Sequence, residues 1–180
     1  MTNVEELCAA VTRGQRFDFL FFWGHSGPAY GPLGAECLSQ WYLAPFTHDD
    51  IQFPTAEHAL MLGKAKLFGD KSTERRILTT PSPREAKDLG RGVLPYDDTL
   101  WTEKRQEVAI AANAAKFSQN PKLREYLLST GDKVLVEASP YDKIWGIGLR
   151  SSDSRAKDPR KWRGRNLLGF TLMAVRATLR

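Results

Sequence analysis

The stretch from Pro54 to Gly69 constrains this chain more than any other, because it reads as a helix with two charges on its apolar side. Turning ~100° per residue from Thr55, the predicted N-cap, puts Leu60, Met61, Leu67 and Phe68 on one stripe. Glu57 and Lys64 fall in the middle of it, while His58 and Lys66 point more to the opposite side. A surface helix keeps its charges away from its apolar stripe. A carboxylate and an amine aimed at the core are costly to bury unless they are paired or used. Burial raises a glutamate pKa and lowers a lysine pKa, which suits a proton donor and a nucleophilic amine near neutral pH. The helix therefore reads as the wall of a reactive site. The alternative is a pair of structural charges, each with its own partner, since seven residues at ~1.5 Å rise set them roughly 10 Å apart along the axis.

With 180 residues, 42% of them hydrophobic and 26% charged, the chain has the composition of one globular domain with a substantial core. It has no run approaching the ~18 apolar residues of a membrane span, and its polar, acidic start does not resemble a signal peptide, so a cytoplasmic protein is expected. Cys8 and Cys37 provide no disulfide framework, and His25, His48 and His58 lie too far apart for a metal signature. Neither a metal nor a cofactor is expected. The net charge of +5 is modest, but Arg150, Arg155, Lys157, Arg160, Lys161, Arg163 and Arg165 crowd sixteen positions near the end. Such a run is a solvated face or a phosphate or nucleic-acid contact.

The aromatic run 17–23 predicts a buried strand stopped by Gly24, and a loop follows to Gly34 whose spacing is neither GxGxxG nor a P-loop. Further strands are predicted at 38–42 and 51–53. Ser82-Pro83-Arg84-Glu85 has the capping-box pattern and predicts a short helix ending near Leu89 before Gly90. A longer helix over 98–118 carries Trp101, Val108, Ala112 and Ala115 on one stripe with Arg105 at its edge. Asn120-Pro121 opens another, closed by Gly131. The run 134–138 alternates as a strand with Glu137 on the face of Leu135. The loop after it, from Ser139 to Gly148, mixes Asp142 and Trp145 with glycines that free the backbone. A lone Asp such as Asp142 in a turn is more often an Asx-turn former than a catalytic group. Asn166 is a natural N-cap for a last helix, whose start is suited to a phosphate.

Six blocks in this order and spacing resemble the NADAR family: Phe53-Pro54-Thr55-Ala56-Glu57-His58, Lys64-Ala65-Lys66-Leu67-Phe68-Gly69-Asp70, Lys87-Asp88-Leu89-Gly90-Arg91, Lys116-Phe117, Asp142-Lys143-Ile144-Trp145-Gly146-Ile147-Gly148 and Gly164-Arg165-Asn166-Leu167-Leu168-Gly169. That family includes N-glycosidases acting on early riboflavin-pathway intermediates. The resemblance runs from about Phe19 to Arg180. It implies a compact, mainly helical α+β domain over 17–180, preceded by a helical or flexible segment over 1–16, and hydrolysis of an N-glycosidic bond to a ribose. It makes Glu57 a catalytic residue and Lys64 a candidate for covalent contact with the opened ribose. Asp142 and Trp145 would line the sugar and base pocket with Gly146 and Gly148, Asp142 ordering Lys64 or a sugar hydroxyl. Arg91, Arg105 and Asn166 are candidates for a phosphate. Where shorter members carry Ser-Asn-Phe near the first strand, this chain has Leu38-Ser39-Gln40-Trp41, so Ser39 and Trp41 are expected to touch substrate and to bear on its identity.

The expected substrate, lying between the 55–69 helix and the Asp142–Gly148 loop, is a phosphoribosylamino-pyrimidine. The alternatives are ADP-ribose on a guanine base of DNA or RNA, cleaved by the same chemistry, and NAD or ADP-ribose held without catalysis. The modest charge favours the small metabolite.

Overall fold

The computed structural model describes residues 1–25 and 32–180; the middle of the Gly24–Gly34 loop lies outside the described residues. In chain order the elements are α1 (Val4–Thr12), β1 (Phe19–Phe22), a 3-10 turn (Ala35–Leu38), β2 (Phe46–His48), β3 (Ile51–Phe53), α2 (Ala56–Phe68), α3 (Lys71–Thr79), α4 (Pro83–Arg91), α5 (Asp98–Gln119), α6 (Pro121–Ser129), β4 (Val134–Glu137), two further 3-10 turns and α7 (Leu167–Leu179). This is a mainly helical α+β architecture with a few short strands. Three local expectations are corrected. The segment 38–42 is the end of a 3-10 turn and a bend rather than a strand. Helix α4 runs through Gly90 to Arg91, and α3 and β2 were not anticipated.

The chain divides into two units, residues 1–39 with 122–180, and residues 40–121. In the first, β1 and β4 pair in parallel with Leu20 opposite Leu135. Val134, Leu135 and Val136 are all buried, so β4 is covered on both faces and the expected alternation of exposed and hidden positions is absent. Around it Leu7, Ile147, Leu149, Ala156 and Phe170 form a core, with Phe19, Phe21 and Trp162 packed at its side.

In the second unit β2 and β3 make an antiparallel hairpin with Phe46 opposite Phe53. Helix α2 is its centre, packed by α3, α4 and α5. Ala56 to Leu62, then Lys64 and Ala65, are buried, so the helix is internal nearly all round rather than amphipathic. The expectation that His58 faces outward is therefore overturned; its ring is 1% exposed. Two glycines permit this enclosure. A Cβ on Gly63 would stand 2.5 Å from Val108 of α5, and one on Gly90 would stand 2.1 Å from the Met61 sulfur. Helix α2 ends at Gly69, whose φ of +72° belongs to a left-handed cap.

Candidate functional site

Glu57 and Lys64 are buried on α2, 4% and 8% exposed. The Glu57 N–H donates to the Gln40 carbonyl at 3.0 Å, tying the first turn of α2 to the segment before β2. Thr55 occupies the N-cap position without capping. Its Oγ1 lies 2.8 Å from His58 Nδ1, and His58 Nε2 lies 3.1 Å from the Thr80 carbonyl. Because a carbonyl only accepts, Nε2 carries the proton and Nδ1 accepts from the threonine hydroxyl. Burial holds the His58 pKa below its ordinary value, so the ring is a neutral bridge from α2 to the residues that lead into α4.

Lys64 sits in a distinct environment. Its Nζ donates to the Gly90 carbonyl at 2.8 Å and lies 4.4 Å from the ring centre of Tyr96 and 5.5 Å from that of Trp101. Burial pushes the amine pKa down, while the Asp98 carboxylate pulls it up. The rings and the carbonyl favour the ammonium form, so desolvation outweighs the local attraction and the proton is held more loosely than on a free lysine.

Two more cations are buried in this unit, both on α5. Arg105 is 6% exposed and Lys116 is fully enclosed, its Nζ 5.8 Å from the Tyr42 ring centre and 5.0 Å from that of Phe117. Lys116 was not selected as a site residue, although it falls four residues beyond Ala112 on the stripe read from the sequence, the same signal that selected Glu57. Three buried cations and one buried carboxylate give the interior of this unit a positive bias.

Trp41 and Arg91, named separately from the sequence, are brought together. With Arg84, Lys87 and Asp88 they line a cavity of about 220 Å³ on the second unit. Ser39 closes the 3-10 turn, its N–H donating to the Glu36 carbonyl at 3.0 Å.

In the first unit Asp142 is built into a turn. Its Oδ1 accepts from the N–H groups of Ile144 at 2.9 Å and Trp145 at 2.8 Å, the Asx arrangement. Ser139 Oγ accepts from the Asp142 N–H at 3.2 Å. Trp145 is half-buried beside it. Gly146 and Gly148 act through the backbone. A Cβ on Gly146 would lie 2.8 Å from the Glu137 carbonyl, and Gly148 has a φ of +67°.

Asn166 differs most from expectation. It has a left-handed φ of 51°, makes no side-chain cap on α7 and is fully buried. Its Nδ2 donates to the Leu135 carbonyl at 2.9 Å and its Oδ1 accepts from the Glu137 N–H at 2.9 Å. The carboxamide thus takes the place of a neighbouring strand beside β4, a structural use of both its oxygen and its nitrogen. The basic run of 150–165 is also partly neutralised. Arg155 holds Asp153 at 2.6 Å and Arg160 holds Asp158 at 2.8 Å, which pulls both aspartate pKa values down.

Among the described residues no group of three or more His, Cys, Asp and Glu is placed to hold a metal, and no helix is long and apolar enough to cross a membrane.

The family model described as "NADAR domain" matches residues 21–180. N-glycosidase R617 of Acanthamoeba polyphaga mimivirus is 37% identical over 163 residues, spanning 88% of this chain and 94% of that protein. The chloroplastic riboflavin biosynthesis protein PYRR of Arabidopsis thaliana is 40% identical over 106 residues, which are 57% of this chain and 16% of that longer protein. The NMR structure of the E. coli protein YbiA superposes with a TM-score of 0.70 at 26% identity, covering 92% of this chain and 86% of that one.

Proposed function

This chain belongs to the NADAR family, in which its relatives are named as N-glycosidases, and from that membership we propose that it hydrolyses the N-glycosidic bond of a phosphoribosylamino-pyrimidine from riboflavin biosynthesis. The observation that carries the proposal is a carboxylate, Glu57, and an amine, Lys64, enclosed on one internal helix with the amine's proton loosened by burial. The match to PYRR, a riboflavin biosynthesis protein, supports the choice of leaving group.

Departure of the pyrimidine amine builds positive charge on the anomeric carbon and needs a proton on the leaving nitrogen. Glu57 supplies that proton. Neutral Lys64 attacks the anomeric carbon, forming a carbon–nitrogen bond as the bond to the pyrimidine amine breaks. Opening of the ring carbon–oxygen bond then gives a protonated Schiff base, with the ring oxygen becoming a hydroxyl. Water activated by Glu57 adds to the same carbon, the lysine leaves with its electron pair, and free ribose phosphate is released. Net, one water is consumed per bond cleaved. For Trp145, stacking on the base, and Asp142, ordering a sugar hydroxyl, the proposal rests on the family motif alone.

The test is Glu57→Gln assayed by mass spectrometry for free ribose phosphate. A fall in kcat of roughly 100- to 10,000-fold with KM changed by less than about threefold is the expected result. A variant that binds and turns over like the native chain overturns the proposal. If the native chain binds ADP-ribose or NAD without releasing product, the chain is a binding module instead.

A further inference from the structure

We propose that Trp41, Arg84, Lys87 and Arg91 form a binding site for a phosphate ester on the outer face of α4. Arg84, Lys87 and Arg91 follow i, i+3, i+7 spacing, so they share one face over roughly 10 Å of axis. The opposite face of the helix is spent on the core, where Ala86, Leu89 and Gly90 are buried. Over the cationic face stands the half-buried Trp41, its ring centre 5.9 Å from the Arg84 guanidinium carbon and 6.0 Å from Lys87 Nζ.

Three cations and one carboxylate, Asp88, line the cavity. Asp88 pairs with Arg91 at 3.2 Å, both side chains being well exposed, so the pair holds little of the field. The lining thus gathers three cations and one carboxylate around a recess of about 220 Å³. At ~30 Å³ per water this admits a phosphate group and part of its sugar, and it is small for an apolar ligand of ordinary size. A multivalent anion can accept hydrogen bonds from several cationic side chains at once. Arginine supplies forked donors for phosphate oxygens and lysine a point charge. The indole offers a flat wall against which a sugar or base can lie.

The ligand chemistry is a phosphate ester beside a sugar. It has two sources, the phosphomonoester of a ribose phosphate and the phosphodiester of a nucleic-acid strand. The inference rests on the glycosidase reading only in expecting a phosphate on the substrate or on the molecule that carries it. The two fail separately, since the glycosidase reading is lost on turnover and the phosphate-ester site on binding.

The experiment measures binding of ribose 5-phosphate and of a short single-stranded oligonucleotide by titration calorimetry to the full chain and to Arg84→Gln/Lys87→Gln. Both substitutions are of side chains on the outer face of α4, and circular dichroism checks the fold. At least one probe is expected to bind at least tenfold more weakly to the double variant. If that probe is ribose 5-phosphate, the monoester is the ligand. If it is the oligonucleotide, the slope of log affinity against log salt should also shrink by about 0.7 per removed phosphate contact, and the diester is the ligand. Equal affinity of each probe for both proteins, or binding of neither probe to the native chain, overturns the proposal.

Discussion

The Thr55 hydroxyl hydrogen-bonds the Nδ1 atom of His58 at 2.8 Å and leaves the first turn of α2 without a side-chain cap. The threonine is diverted from the helix end to fix the tautomer of a buried ring whose other nitrogen is tied to Thr80.

That ring gives stability a definite pH dependence. The His58 pKa is lowered in the folded chain, so between its folded value and the unfolded ~6.5 only the unfolded chain takes up the proton. The stabilising effect is complete above about pH 6.5 and is lost as pH falls through that window. Urea denaturation should show a lower midpoint at about pH 5.5 than at about pH 7.5. His58→Gln should be less stable at the higher pH and flatter across the range. Identical pH profiles for the two proteins would remove His58 as the cause.

Lys64→Met keeps the length and apolar packing of the side chain but removes the donor to Gly90. Stability should fall by about 1–2 kcal/mol. Turnover should fall far more, by about 1,000-fold, as for loss of a nucleophile. Borohydride added during turnover should leave a sugar adduct on the peptide containing Lys64. An unmodified lysine under saturating substrate would leave Lys64 as a support between α2 and the end of α4.

Asn166→Ala should destabilise the fold by about 2–4 kcal/mol, because it strands the Leu135 carbonyl and the Glu137 N–H, each buried group costing about 1–3 kcal/mol. It also puts alanine at a left-handed φ of 51°. Chemical denaturation measures the loss. A phosphate ligand would behave differently, with stability unchanged and only KM raised.

Gly169→Ala and Gly90→Ala should part company despite similar nominal clashes. At Gly169 the new methyl would lie 2.0 Å from the Leu135 carbonyl oxygen, and at Gly90 it would lie 2.1 Å from the Met61 sulfur. Backbone cannot step aside, whereas a methionine side chain can turn. A loss of about 3 kcal/mol or more is expected at Gly169 and about 1 kcal/mol at Gly90. Equal losses by thermal denaturation would contradict the close approach of Gly169 to the β4 backbone at Leu135.

Helices announced by caps were legible from the sequence. Ser82 accepts from the Glu85 N–H, so α4 starts where the capping box puts it, and α5 starts at Asp98 as its apolar stripe predicts, with the Asp97 cap found only in the structure. The burial of Glu57 and Lys64 was legible too, but its context was not. Periodicity assumes a helix with one wet side, and α2 is wrapped by three others, which hid His58. Trp41 and Tyr42 imitate a strand because bulky aromatics favour strands generally, although here the backbone bends. Helix α3 escaped notice because only Thr73 and Ile77 of its residues are buried. The dual hydrogen bond of Asn166 joins positions about thirty apart in sequence, a pairing that no local pattern encodes. The cationic recess was half legible, since Trp41 and Arg91 were named without any sign that they meet.

The carboxamide of Asn166 also has a bearing on self-association. The N–H groups of Val134 and Ala138 turn toward β1, while the Leu135 carbonyl and the Glu137 N–H turn the other way and are consumed by one side chain. A two-stranded ribbon with a bare margin would invite a strand from another molecule to dock and continue the ladder. With the Ile147 N–H donating to the Glu137 carbonyl at 2.9 Å on the same margin, the chain withholds the template on which such growth would begin.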